Sequence, residues 1–355
     1  MRNCNAGILT ALTALICVVL TGSMLSQAQD VARFATLTPR YFGNMAAPAT
    51  PTVTNWTGTL SPGGTAFTMV GTDPQTTNTT TTVTAYLIPI RVIMSPTPDS
   101  IFDPTHVLSN GRSAVQNTSL SPIFNAGIDF VQGGTDLGNT QYIDAFQRGS
   151  FWSFVSTNTN YHVLLNLVVL PPVNLVVPSS SGSITTRFGT RVAQVDINFF
   201  DAKLQQIISS NSQITPDSLP IAITYNTYLT QGGGCCIGGY HSAFGNASAP
   251  QTYSHFTYID KAGAFAQDVS ALSHEIGEWM DDPFIHNSGC GGLLEDGDPL
   301  EGAPNFGAFP YTLNGFTYNL QDLVFLQYFG QSPSTAVHGW WSFQNANLAV
   351  CSNGQ

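Results

Sequence analysis

Positive charge is the scarcest commodity in this chain. Ten Lys and Arg stand against 21 Asp and Glu, and the only lysines are Lys203 and Lys261. Beyond Lys261 there is no Lys or Arg at all. A chain without a basic face has nothing to neutralise phosphates, which argues against nucleic acid or an anionic membrane as partner. Charged residues of both signs amount to only 9%, against ~25% in ordinary globular domains. Thr, Ser, Asn, Gln and Gly must therefore supply the polar surface. Long apolar runs are missing too. The longest, Ile8–Leu20, falls short of the ~20 residues that span a bilayer, and Tyr161–Pro178 is broken by Asn166, Asn174 and prolines. Cysteine is sparse and shows no C-x-x-C spacing, which disfavours a thiolate zinc site. What the chain does have is 43% hydrophobic and 11% aromatic residues, enough for a large core and a poor fit to disorder.

The start of the chain reads as an export signal. Arg2 precedes the apolar run Ile8–Leu20, and Ser26-Gln27-Ala28 offers the small residues that a signal peptidase reads. Met1–Ala28 is expected to be removed, taking Arg2 with it and moving the net charge from −11 to −12. The expected product is secreted or periplasmic, with no membrane attachment. Cys235, Cys236, Cys290 and Cys351 remain after cleavage, and an oxidising compartment favours disulfides. A ring between the adjacent Cys235 and Cys236 would be strained, so each is expected to reach Cys290 or Cys351.

Residues 29–82 are rich in Thr, Pro and Gly and read as a separate N-terminal segment, with Thr76–Thr82 extended and exposed. The main domain is expected over residues 83–355. Val83–Met94, Tyr161–Val177, Arg191–Phe199 and Leu219–Tyr228 have the β-branched, apolar character of buried strands. Tyr253–Asp260 alternates like a half-buried strand, a candidate sheet edge for an extended peptide. Helical spacing appears around Thr140–Arg148, over Asp201–Ser209, over Ala264–Asp282 and over Asn319–Phe329. These elements predict an α+β fold: a single domain with a mixed sheet packed on a long, motif-bearing helix.

That helix carries the chemistry. Ser270–Pro283 reads SALSHEIGEWMDDP and packs His274, Glu275, Glu278, Asp281 and Asp282 into one stretch. Residues four apart on a helix project from one face. Five more carboxylates follow: Glu295, Asp296, Asp298, Glu301 and Asp322. Clustered acids without a basic partner repel unless solvated, protonated or joined by a cation, so a metal is the first expectation. A hydrolytic metal site needs two or three protein ligands, an open position for water and a nearby carboxylate base. His274 and Glu278 supply two ligands from one helical turn, and Glu275 lies on the flank as general base. Glu278 stands where the H-E-x-x-H pattern has a second His. The third ligand must come from elsewhere, with Glu295, Asp298 and His241 as candidates in that order. Asp282, at the end of the helix before Pro283, is expected to support the site rather than to ligate. The expected ion is Zn²⁺, although one imidazole with two carboxylates also suits another divalent metal.

His274-Glu275-x-x-Glu278-x-x-x-Asp282-Pro283, followed by Glu295-x-Gly297-Asp298, resembles secreted bacterial and fungal metallopeptidases of zincin type. It is also similar to the plant Exordium (phosphate-induced) proteins. Gly239-Tyr240-His241 matches a Gly-aromatic-His element ahead of the helix in both. The resemblance spans roughly residues 220–300 by motif. It implies a zincin-like fold and an exported zinc-dependent peptidase acting on a peptide or protein. The alternative reading is a secreted, non-catalytic, metal-stabilised binding or cell-surface protein.

Overall fold

The structure is a computed structural model that describes residues 40–41, 52–60, 65–96, 100–132, 134–289, 292–323, 335–338 and 342–344. The expected signal segment, Cys290 and Cys351 lie outside the described residues. Among those described, no helix is long and apolar enough to cross a membrane.

The longest strand, Thr80–Met94, is the axis of the molecule. Its first half pairs in parallel with His162–Val169, and its second half with Val173–Val177. On its other side it takes Leu219–Tyr225 in parallel, and near its end Ile101–Phe102 in antiparallel register. The sheet continues from Leu219–Tyr225 to Ala249–Tyr258, then to Gly239–Asn246, and ends at the short Arg40–Tyr41. A second, four-stranded sheet contains Gly182–Arg187, Thr190–Asp196, Thr227–Gln231 and Gly234–Ile237.

Side chains on a strand alternate between faces, and the main sheet has a core on each. Leu87, Ile221, Ile223 and Phe256 belong to one, which also takes up Leu272, Ile276 and Trp279. Ile88, Ala222, Tyr240 and Tyr253 belong to the other, which is closed by Phe200, Leu204 and Ile208 of the helix Ile197–Ser210. Burial on both faces explains why Leu219–Tyr225 reads as an unbroken apolar run rather than an alternation.

Several expectations are corrected here. The fold is mainly β rather than α+β around a long helix. Among the described residues strand makes up 44% against 20% helix, and the main sheet is curled. The five α-helices described are short, the longest having 14 residues. The motif helix is Ser270–Asp281, 12 residues, and not Ala264–Asp282. Ala266 and Asp268 have φ of 59° and 43°, a left-handed backbone that a right-handed helix cannot contain. Phe265 and Val269 are buried all the same, so the apolar spacing is met without helical backbone. Tyr253–Asp260 is not a sheet edge, because Ala249–Tyr258 has Gly239–Asn246 on one side and Leu219–Tyr225 on the other. Asn319–Phe329 begins as strand: Phe316–Gln321 pairs with Ala308–Leu313, burying Tyr318 and Leu320 with period two. Thr80–Thr82 already belong to the central strand. Cys235 and Cys236 are bonded to each other, not to more distant cysteines.

Candidate metal centre

Two walls face each other across the site. The first is the motif helix, whose buried residues include every one from Ser270 to Asp281. It packs on the strands Ala249–Tyr258 and Gly239–Asn246 and on Phe316–Gln321. The second wall is the strand Gly239–Asn246. Tyr240 belongs to the core on the far face of the sheet, where its hydroxyl donates to Asp201 over 3.2 Å. The period of two therefore turns Gly239 and His241 towards the helix. A Cβ at Gly239 would lie 2.7 Å from Glu275 Oε1, so this glycine lets the strand and the carboxylate approach.

The helix orients its side chains by spacing. His274 and Glu278 lie one turn apart, with His274 Nε2 2.9 Å from Glu278 Oε1. Glu275, one residue round, faces the strand, and its Oε2 lies 3.3 Å from His241 Nδ1. The other oxygen of Glu278, Oε2, is 3.6 Å from the same His241 nitrogen. From the acidic loop after the helix, Asp298 Oδ1 comes to 3.4 Å from His274 Nε2. The Gly297 amide donates to Glu278 Oε1 over 3.2 Å. Potential ligand atoms thus form two groups, each with its donors within 4.8 Å of one another: His274, Glu278 and Asp298, and His241, Glu275 and Glu278.

Glu295 joins neither group among the described residues. It is half-buried and hydrogen-bonds to Glu278, so of the candidates from the loop it is Asp298 that reaches the His274 side. Asp282 stands behind the site. Its carboxylate accepts the amides of His286 and Asn287 over 3.0–3.1 Å, which fixes the chain as it leaves the helix. His255 is buried against Thr224, 3.1 Å away, and belongs to the core. Gln147 carried no signal in the sequence, and Asp296 figured there only as one of the clustered carboxylates. Gln147 donates to Asp281 Oδ1 over 2.7 Å, and Asp296 sits fully buried beside Asp281. Gln147 comes from a distant helix, and Asp296 was the unspecified position in the Glu295-x-Gly297-Asp298 pattern, so only the fold could bring them together.

Burial and mutual repulsion both oppose ionisation of the carboxyls in the site. Burial raises the carboxyl of Glu275 well above its ordinary range, and Glu278, Glu295, Asp298 and Glu301 push it further. Burial does the same to Glu278, with Asp298 and Asp296 adding to it. His241 is pushed down to about 3 by burial and by the nearby His274, with the Asp282 main chain opposing. A neutral imidazole is the form that ligates a metal. Glu275 Oε1 is buried without a hydrogen-bond partner. Donors of this type, imidazole with carboxylate, fit Zn²⁺ or a harder divalent ion. The Asp298 side chain is 41% exposed, although the Oδ1 that faces His274 is itself buried, while His241, His274, Glu275 and Glu278 are at most 1% exposed.

No family model, no curated protein and no solved structure matches this chain.

Proposed function

We propose that the protein is an exported, divalent-metal-dependent peptidase, with Zn²⁺ as the expected ion. The observation that carries this reading is the convergence of His274 Nε2, Glu278 and Asp298 with Glu275 on the adjoining helical position. Export rests on the sequence of Met1–Ala28, and the likeness to secreted metallopeptidases and Exordium proteins rests on motif alone.

A bound Zn²⁺ supplies a Lewis acid for the scissile carbonyl and lowers the pKa of its water to ~7. The chain's own residues do the rest. His274, Glu278 and Asp298 would hold the ion, and the Gly297 amide fixes the orientation of Glu278. Glu275 takes the proton of the attacking water through its unengaged Oε1 and returns it to the leaving amine. His241 orients Glu275 from the strand. The partly exposed Asp298 marks the side from which a peptide enters.

The test combines metal analysis with one variant. Purified protein should carry at least one equivalent of divalent metal and cleave members of a broad peptide library. Glu275→Gln should retain at least one equivalent and lose cleavage by about 10²–10⁴-fold, the usual weight of a general base. Less than half an equivalent in the native protein overturns the reading.

The near-complete burial of four of the five groups favours a second reading, a metal-stabilised binding or cell-surface protein. On that reading removal of metal lowers the melting temperature, while native protein and Glu275→Gln alike leave the library uncut.

A further inference from the structure

We propose that the centre takes two divalent cations, bridged by Glu278, rather than one. The proposal rests on the metal-centre reading above and extends it. The two ligand groups share a single residue, Glu278, and its two oxygens face different histidines. Oε1 lies 2.9 Å from His274 Nε2, and Oε2 lies 3.6 Å from His241 Nδ1. One group is built by the helix and the acidic loop, the other by the helix and the strand Gly239–Asn246. A carboxylate placed between two such sets is the usual bridge of a two-metal hydrolytic site, in which the ions sit ~3.5–4 Å apart.

Hydrogen bonding and charge point the same way. His241 Nδ1 faces two carboxylate oxygens, Glu275 Oε2 at 3.3 Å and Glu278 Oε2 at 3.6 Å. A single N–H cannot serve both well, and both carboxylates are at most 1% exposed. A cation between imidazole and carboxylates satisfies all three. Glu275, Glu278 and Asp298 carry three negative charges when ionised, and no Lys or Arg occurs after Lys261 to offset them. One dication leaves a buried excess of negative charge. Two neutralise the three ligands with one positive charge over, which a single neighbouring carboxylate, Glu295 or Glu301, suffices to meet. Glu275 then engages the second cation through Oε2 and keeps Oε1 for the proton of the water.

The experiment is a metal count on the full-length exported protein, stripped with chelator and reloaded with Zn²⁺ alone, followed by gel filtration and elemental analysis. Two equivalents are expected for the native protein and one for His241→Ala, with far-UV circular dichroism unchanged. One equivalent in both overturns the two-cation proposal and leaves the single-metal reading standing. No bound metal in the native protein overturns both. A second equivalent that survives in His241→Ala also overturns the proposal, because that ion lies elsewhere. A readout on native protein alone guards against a variant that misfolds. Loaded with Mn²⁺, it should give the electron paramagnetic resonance spectrum of an exchange-coupled pair. Two isolated Mn²⁺ signals count against the bridge.

Discussion

Gly297 lies flat against the imidazole of His274. A Cβ at position 297 would come within 2.3 Å of His274 Nδ1 and 2.5 Å of Cε1, closer than any side chain can stand. The loop that brings Asp298 Oδ1 to 3.4 Å from His274 Nε2 therefore doubles as the wall that holds the His274 ring. Gly297→Ala must displace either the ring or the loop, and both carry proposed ligands. The expected result is at least a tenfold loss of metal affinity in competition with a chromophoric chelator, in line with other disturbed supports of metal ligands. Gly302→Ala, five residues on, meets nothing within 4 Å and should bind metal as the native protein does. Equal affinities for the two variants would show that the contact does not position His274.

The pairing of His274 with Glu278 was legible in the sequence because helical geometry fixes what lies four residues apart. So was the central strand, since a stretch such as Val83–Met94 has too little polarity for any exposed position. The contribution of His241 from a neighbouring strand could be suspected but not placed. It depends on the register between Gly239–Asn246 and Ala249–Tyr258, where His241 sits opposite Ser254. The overestimate of helix has a similar origin. Buried apolar residues such as Phe265 satisfy a helical period whether or not the backbone is helical, and the left-handed Ala266 and Asp268 leave no compositional mark. Nothing local to Asn319 announces that it will donate twice to Asp268 from within a strand.

Asp298 and Glu295 were close competitors as the ligand from the loop, and the geometry separates them. Asp298 Oδ1 lies 3.4 Å from His274 Nε2, whereas Glu295 hydrogen-bonds to Glu278. Asp298→Asn should weaken Zn²⁺ binding about tenfold or more, and Glu295→Gln should weaken it less. Isothermal titration of the stripped proteins with Zn²⁺ decides. The reverse order of affinities would move the ligand to Glu295.

Stability without metal should fall as pH rises through the neutral range. Asp268 and Asp282 are raised to about 7 and Asp322 to about 6, each chiefly by burial, and Glu275, Glu278, Asp281 and Asp296 are raised as well. Carboxyls that hold protons more tightly when folded favour the native state below their unfolded pKa of ~4. That advantage is lost as pH climbs to the folded pKa. His241 and His255, pushed down to about 3, act oppositely, since the unfolded chain binds their protons from about 3 to ~6.5. Seven carboxyls outweigh two histidines. Chelator-treated protein should therefore melt at a lower temperature at pH 8 than at pH 5, and Zn²⁺ should restore most of the loss at pH 8. A melting temperature that rises over this range without metal would contradict the balance.

Asp281 and Asp296 are both fully buried, and Asp281 Oδ2 and both Asp296 oxygens lack a donor unless one carboxyl of the pair keeps a proton. Burial raises both carboxyls, Asp296 adds to the rise at Asp281, and Asp281 offers Asp296 a hydrogen bond that opposes it. Asp296→Asn would replace the need for a shared proton with a permanent N–H donor and remove one buried charge. The expected gain is about 1–2 kcal/mol at pH 7.5, read as a higher melting temperature. A loss of similar size would mean that the ionised Asp296 holds something in place that an amide cannot.

Gly239 offers a way to disturb the proposed base without altering the chemistry of any side chain in the site. A Cβ there would meet Glu275 Oε1 at 2.7 Å, Glu275 Cγ at 2.8 Å and the main-chain oxygen of His255 at 2.9 Å. The His255 carbonyl is locked in the sheet, where residue 239 pairs with Phe256, so the Glu275 side chain must give way. Overpacking of this kind costs about 1–3 kcal/mol of stability. The carboxylate, however, shifts relative to whatever water it serves, and a misplacement of ~1 Å costs about a hundredfold in rate. Gly239→Ala should therefore keep the ion held by His274, Glu278 and Asp298 while kcat for peptide cleavage drops by one to two orders of magnitude. Metal content and kcat measured on the same preparation separate the two effects. If kcat falls only in proportion to lost metal, Glu275 acts as a ligand alone and the proton must go elsewhere.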